Sequence, residues 1–338
     1  MELYFLRHVL ISLHIIAVLL FFSDGFVFSP ENVQAAPGND VNIVLITIDT
    51  LRADHLSCYG YYRDTTPYID ELAKSSMIFT DVIAPSSWTS PSMVSLFTSV
   101  YPINHGVVHG FVGKKKVYNQ EVFSSELTTL PEILKKQGYT TFGISSNLHL
   151  SEEYGFSRGF DYFKCLPFLP AQSVNEVAYS WRDEINKSSK FFLWIHYLDP
   201  HWRYSPREPW IDKYDPNYKE VPQWFYKMRL RGIQKGLGKV KELPELDTLI
   251  ALYDSEINYV DYHLKVLIDN MQLLENSIFI ITSDHGEDFL EHGKLDHGND
   301  LYAGTVNVPL IVRLPQQTTG NVIDQQVSLL DIMPTLLT

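Results

Sequence analysis

The densest run of chemically useful residues in this chain is Ser283-Asp284-His285-Gly286-Glu287, followed at once by Glu291-His292-Gly293 and Asp296-His297-Gly298. Carboxylate oxygens and imidazole nitrogens are the ligands that divalent cations take from proteins, and Gly286 lets the backbone turn tightly between them. A lone Asp-His pair reads as a solvated acidic loop. Repetition of the pattern directly behind the apolar run 277–282 (SIFIIT) points instead to a metal site. A second carboxylate, Asp49, closes another wholly apolar run, VNIVLITI at 41–48. There its charge is desolvated unless it is paired or holds a cation, although a helix N-cap explains the residue taken alone. The third piece is Pro85-Ser86-Ser87-Trp88-Thr89-Ser90-Pro91-Ser92, a hydroxyl cluster ahead of a helix with Pro91 in its first turn. Free N–H groups at a helix N-terminus stabilise an anionic oxygen, so a phosphate or sulfate could be held beside Thr89; simple capping by Thr89 or Ser90 is the alternative.

Residues this far apart act together only if separate elements carry them to one place. The β-branched run 41–48 has the composition of a strand buried on both faces of a parallel sheet, and FFLWIH (191–196), SIFIIT (277–282) and VPLIVR (308–313) follow the same logic. Helical spacing occupies 66–76 with Pro67 near its start, 90–99, 129–137 ahead of Gly138, and 246–272, where Ile250, Tyr253, Ile257, Val260 and Leu264 recur on one face. Strands alternating with helices predict an α/β fold with a mostly parallel sheet. Ligands of such sheets bind outside the carboxyl ends of the strands, which places the chemistry at Asp49, at 196–201 and at Asp284. Residues 208–244 mix Trp, Tyr, Lys and Gly without period and read as an insertion or lid bordering the substrate.

With 338 residues, 45% of them hydrophobic, the chain can fill a large core as one large α/β domain or two ordinary ones. Its 27 basic against 40 acidic residues, a formal charge of -13, would repel a phosphate backbone, which excludes nucleic acid as an expected partner. Arg7 and His8 ahead of the apolar run 9–22, with Ala35 and Ala36 downstream, form an export signal cleaved after Ala35. The alternative is an uncleaved membrane anchor over 1–35, and in either case the domain faces the periplasm or the extracellular space. Cys58 and Cys165 allow at most one bridge and no disulfide framework.

Taken together, the motifs resemble the sulfatase family within the alkaline phosphatase superfamily. The resemblance covers 41–338. It runs through Ile43 to Tyr61 (IVLITIDTLRADHLSCYGY), Thr65-Thr66-Pro67, the stretch from Trp88 to Val100-Tyr101-Pro102, His105-Gly106-Val107, Gly138-Tyr139, Gly159-Phe160-Asp161, Asp199-Pro200-His201, Tyr253-Asp254-Ser255-Glu256, Ser283 to Glu287, Val308-Pro309-Leu310-Ile311 and Leu330-Asp331-Ile332-Met333-Pro334. It implies a central mixed, mostly parallel sheet flanked by helices, with a C-terminal subdomain of the family apparently lacking here. Arg52 and Asp54 match the family pattern too, and read as readily as a structural ion pair.

The departures redirect the expected chemistry. Sulfatases carry Cys or Ser in C/S-x-P-S-R, oxidised to formylglycine, whereas this chain has Thr89-Ser90-Pro91-Ser92-Met93. Thr50 stands where the family has a second metal aspartate, and Ser145-Ser146-Asn147-Leu148-His149 replaces its Gly-Lys-Trp-His segment. Threonine at this position resembles the nucleophile of the family's phospho-transferring relatives, the lipoteichoic-acid synthases, phosphoethanolamine transferases and nucleotide pyrophosphatases. That resemblance implies one divalent metal (calcium, manganese or zinc) on Asp49, Thr89, Asp284 and His285, which makes the Thr89 hydroxyl a usable nucleophile. It also makes His201 and His297 the candidates for contacting ester oxygens and protonating the leaving group, with His292 able to exchange roles with His297 and His196 expected in the core or just behind the site residues. The expected activity is hydrolysis or transfer of a sulfate or phosphate ester of a glycan, lipid or small molecule. A catalytically silent binding protein that kept the fold is the alternative.

Overall fold

The computed structural model describes residues 41–108, 111–112, 119–120, 122–220 and 244–338. The export signal or anchor over 1–35 and most of the expected insertion at 208–244 lie outside the described residues. Among the described residues there are twelve strands: β1 (Asn42–Ile48), β2 (Met77–Phe79), β3 (Val82–Ile83), β4 (Phe111–Val112), β5 (Asn119–Gln120), β6 (Thr140–Ser145), β7 (Tyr162–Cys165), β8 (Phe191–Tyr197), β9 (Ser277–Thr282), β10 (Leu310–Arg313), β11 (Asn321–Ile323) and β12 (Val327–Ser328). Eight form the central sheet in the order β11-β2-β10-β9-β1-β8-β6-β7. β9, β1, β8, β6 and β7 are mutually parallel, while β10 runs against both of its neighbours. The mixed, mostly parallel sheet expected from the sequence is therefore present.

β1 sits at the centre because its side chains are apolar on both faces. Ile43 and Leu45 join the apolar cluster that contains Met93, Val94 and Phe97 of the helix Thr89–Thr98. Val44, Ile46 and Ile48 point the other way, into the cluster that contains Leu252, Val260 and Leu264 of the long helix Pro244–Met271. The alternation follows from the two-residue period of a strand. Both covering layers come from helices, as expected where parallel strands are joined by crossovers. No helix among the described residues is long and apolar enough to cross a membrane.

Register then levels the strand ends. Thr47 lies opposite both His196 of β8 and Thr282 of β9, and Ser145 of β6 lies opposite His196. Two residues further along each strand stand Asp49, Leu198, Asp284 and Asn147, at one edge of the sheet. The turn after β1 is tight. Thr50 has a φ of 56°, rare for a β-branched residue, and Tyr253 clamps it by donating to the Thr50 carbonyl (2.7 Å) and accepting from the Arg52 N–H (3.0 Å).

Candidate metal and nucleophile site

Asp49, Asp284 and His285 are fully buried and offer ligand atoms that all lie within 4.8 Å of one another. Each carboxylate has one oxygen engaged and one without a partner. Asp284 Oδ1 accepts from the backbone N–H groups of His285 (3.0 Å) and Thr50 (3.3 Å), whereas its Oδ2 has none. Asp49 Oδ2 accepts from Asn147 Nδ2 (2.6 Å) and lies 3.1 Å from His196 Nε2, whereas its Oδ1 has none. Asp49 therefore caps no helix. The two orphaned oxygens flank His285 Nε2, at 3.7 Å from Asp49 Oδ1 and 3.4 Å from Asp284 Oδ2. The His285 Nδ1 lies 2.8 Å from the Gly286 carbonyl, which can only accept, so Nδ1 carries the proton and Nε2 presents its lone pair to the carboxylates.

The electrostatics fit a cation. Burial pushes Asp49 up, but His201, His196 and His285 outweigh it and hold this carboxyl well below its ordinary range. Burial and the Asp49 charge push Asp284 up to about 7. Burial and the neighbouring His297 push His285 well below the usual imidazole value, which keeps it in the neutral, ligating form. Two carboxylates and a neutral imidazole converging on buried, unpartnered oxygens match the donor set of a divalent cation.

Thr89 opens the helix Thr89–Thr98, whose N-cap residue is Trp88 with no side-chain capping bond, so the hydroxyl is not spent on a cap. Its Oγ1 lies 3.3 Å from His285 Nε2 and accepts a 3.3 Å hydrogen bond from Asn147 Nδ2. Asn147 was not singled out by the sequence reasoning. Its amide is held on both sides, because its Oδ1 accepts from the His149 N–H (2.9 Å) while Nδ2 serves Asp49 and Thr89. The signals that point to it are its place in the segment 145–149 that departs from the family pattern and its position just beyond β6, a strand without a continuous apolar run.

The remaining histidines divide as follows. His201 and His297 are brought together with ring centroids 5.0 Å apart, and His297 lies 4.5 Å from His285. His297 Nδ1 is 3.1 Å from Glu287 Oε1, and the other Glu287 oxygen accepts from Tyr204. Burial pulls His297 down, but the Glu287 charge and hydrogen bond outweigh it and raise it to about 9, so the ring is cationic at neutral pH. His292 is stacked on Tyr302 with 3.7 Å between centroids and lies 3.9 Å from Asp288. His196 is buried in β8 and backs Asp49, as an interior residue.

Other expectations resolve equally plainly. Arg52 forms a two-pronged pair with Asp54 at 2.8 Å and a further contact with Glu291, a structural role. Met93 is fully buried in the apolar cluster below the sheet. Gly286 has no positive φ; a Cβ there would lie 2.0 Å from the Gly304 carbonyl oxygen, so close backbone approach is what requires glycine. Cys58 and Cys165 are both free thiols.

A mostly parallel eight-stranded sheet with acidic and histidine side chains gathered at adjacent strand ends has the alkaline-phosphatase-like architecture. The family model described as Sulfatase matches residues 41–338, and the chain belongs to the sulfatase family. A sulfatase of Formosa agariphila is 25% identical over 349 residues, covering 88% of this chain and 68% of its own length. Mouse iduronate 2-sulfatase is 28% identical, with 84% and 62% covered, and human arylsulfatase A 25% identical, with 87% and 63%. The chain thus spans under two thirds of the length of the latter two. Among solved structures, the phosphonate monoester hydrolase of Agrobacterium radiobacter has a TM-score of 0.66 at 20% identity, covering 88% of this chain and 73% of that one. The C-terminal periplasmic domain of EcEptC from Escherichia coli has a TM-score of 0.65 at 20% identity, covering 88% and 81%, and has also been solved with Zn. At such identity these likenesses speak to the fold.

Proposed function

We propose that this chain is an exported, metal-dependent hydrolase or transferase of sulfate or phosphate esters, with Thr89 as its covalent nucleophile. The observation that carries the reading is the uncapped Thr89 hydroxyl, 3.3 Å from the His285 lone pair and beside two orphaned carboxylate oxygens. Asp49, Asp284, His285 and Thr89 would hold one divalent cation (calcium, manganese or zinc), which lowers the pKa of a bound hydroxyl and so supplies a nucleophile at neutral pH. Asn147 donates to the Thr89 oxygen and stabilises negative charge there. Thr89 Oγ1 gives up its proton to solvent; its attack on phosphorus or sulfur forms the Oγ1 ester bond and breaks the bond to the alcohol, which takes a proton from the cationic His297 or from His201. Water or an acceptor alcohol then resolves the threonine ester.

Similar proteins carry the names sulfatase and phosphonate monoester hydrolase, which supports ester cleavage at sulfur or at phosphorus. Sulfated or phosphorylated glycans, lipids and small-molecule esters are the substrate classes proposed, and export rests on the N-terminal residues 1–35. The test is turnover of nitrophenyl phosphate mono- and diesters and nitrophenyl sulfate with manganese, zinc or calcium, against Thr89→Ala. Absence of any turnover above that control, together with no stoichiometric metal in the purified protein, would establish the silent binding protein instead.

A further inference from the structure

One cavity opens beside the site without belonging to the nucleophile or its ligands. It has a volume of about 540 Å³ and is shared with the site through His201. Its apolar wall is formed by Phe168, Leu169, Leu198 and Trp202, of which Phe168 and Leu169 leave 72% and 43% of their surface exposed. Large apolar side chains left open beside a reaction centre are better explained by a ligand than by the core. Two arginines also line the cavity, and they differ. Arg207 is neutralised by the carboxylates of Asp199 and Glu256 and lies over the Tyr259 ring. Arg203 is exposed, and among the described residues no ion pair or hydrogen bond engages its guanidinium.

We infer that this cavity is the subsite for the alcohol portion of the substrate, and that Arg203 selects glycan esters carrying a second anionic group besides the one cleaved. The inference rests on the ester-transfer reading above. A sugar ring presents a C–H face that packs on Phe168 or Trp202, and its hydroxyls reach Ser205 at the cavity wall. With the scissile ester beside Thr89 and His201 at the leaving oxygen, the rest of the sugar extends toward Arg203. A guanidinium there matches a sulfate, phosphate or carboxylate through paired N–H donors. An uncharged alcohol would leave that donor set unused.

Binding is measured in the presence of manganese on a Thr89→Ala background, which removes turnover. Glucose 6-sulfate is compared with glucosamine 2-N,6-O-disulfate, and glucose 6-phosphate with glucose 1,6-bisphosphate. We expect the doubly charged member of at least one pair to bind about tenfold tighter. Adding Arg203→Ala should bring the two within about twofold, and Arg203→Lys should restore part of the preference. Equal binding of both members in both pairs, a preference that survives Arg203→Ala, or no binding of any of the four overturns the subsite. Failure of the ester-transfer reading is read separately, as no Thr89-dependent turnover of nitrophenyl esters.

Discussion

Replacing Asp284 by Asn tests the charge balance at the centre of the site. Without a cation, burial and the Asp49 charge push Asp284 up to about 7, whereas in the unfolded chain the same carboxyl titrates near ~3.9. A group whose folded value is raised holds its proton more tightly in the folded state. Its contribution therefore favours folding at low pH and is lost as pH climbs from about 4 through about 7. Three pH units at about 1.36 kcal/mol each amount to roughly 4 kcal/mol across that window. Asp49 does not offset this over most of the window, because it is held below its ordinary range in the folded state and is ionised in the unfolded chain as well above about pH 5. Asp261 and Asp288 are also pushed up to about 7, mainly by burial, so the quantity to follow is the difference between wild type and variant rather than either curve. In denaturant unfolding with EDTA, Asp284→Asn should match wild type only below about pH 4, exceed it by roughly 1.5 kcal/mol near pH 5, and exceed it near pH 8 by up to the full amount. Adding a divalent cation should reverse the order at pH 8, since only the wild type keeps both carboxylates and binding to the folded state adds stability. Identical pH responses in EDTA, or an equal gain from the cation, would falsify the paired-carboxylate account.

Glu287→Gln removes the charge that raises His297 to about 9 against burial. The alkaline limb of kcat/KM should then move down toward the ordinary imidazole range, with turnover at pH 8 falling about tenfold or more; an unmoved limb means His297 donates no proton. Asn147→Asp keeps the shape but exchanges a donor for an acceptor beside Thr89. Turnover should drop by about two orders of magnitude while cation affinity holds or rises, and a parallel loss of both in calorimetry would reduce Asn147 to a loop-shaping role. Met93→Arg reintroduces the arginine of the formylglycine pattern into a fully buried apolar position. It should lower stability by about 3–5 kcal/mol in thermal or denaturant unfolding and yield no gain in nitrophenyl sulfate turnover; a folded, faster variant would show that the position still faces the site.

How much of this was legible varies with the physics of each segment. Continuous apolar runs betrayed β1, β8 and β9, because strands covered on both faces must be apolar throughout. The run 308–313 was seen as a strand, but β10 begins at Leu310 and runs antiparallel, since direction is set by the path of the chain rather than by composition. β6 was missed because Thr140, Thr141 and Gly143 interrupt its apolar character, and with it the placement of Asn147 was lost. β7 and β11 are partly exposed edge strands with no run to detect. Asp49, Asp284 and His285 could be proposed from strand-end logic, since β1 and β9 are neighbours. The pairing of His297 with Glu287 depends on a loop that folds back across ten residues, which no period encodes.

Strand-end logic has a weakness that the structure repairs. An apolar run buried on both faces lacks the inside-outside alternation that normally fixes register, so a shift of β1 against β8 would not by itself expose hydrophobic surface. Within the sheet, however, Trp194 Nε1 donates to Thr47 Oγ1 at 3.0 Å, and Thr47 Oγ1 lies 2.8 Å from His196 Nδ1. All three side chains are fully buried. A slip of one residue would leave an indole N–H, a hydroxyl and an imidazole unpaired in an apolar interior, at about 1–3 kcal/mol each. The far side of the same imidazole faces Asp49 Oδ2. Thr47 and His196 thus pin the strands and orient Asp49 in one arrangement, which leaves Asp49 Oδ1 and Asp284 Oδ2 turned toward His285 Nε2.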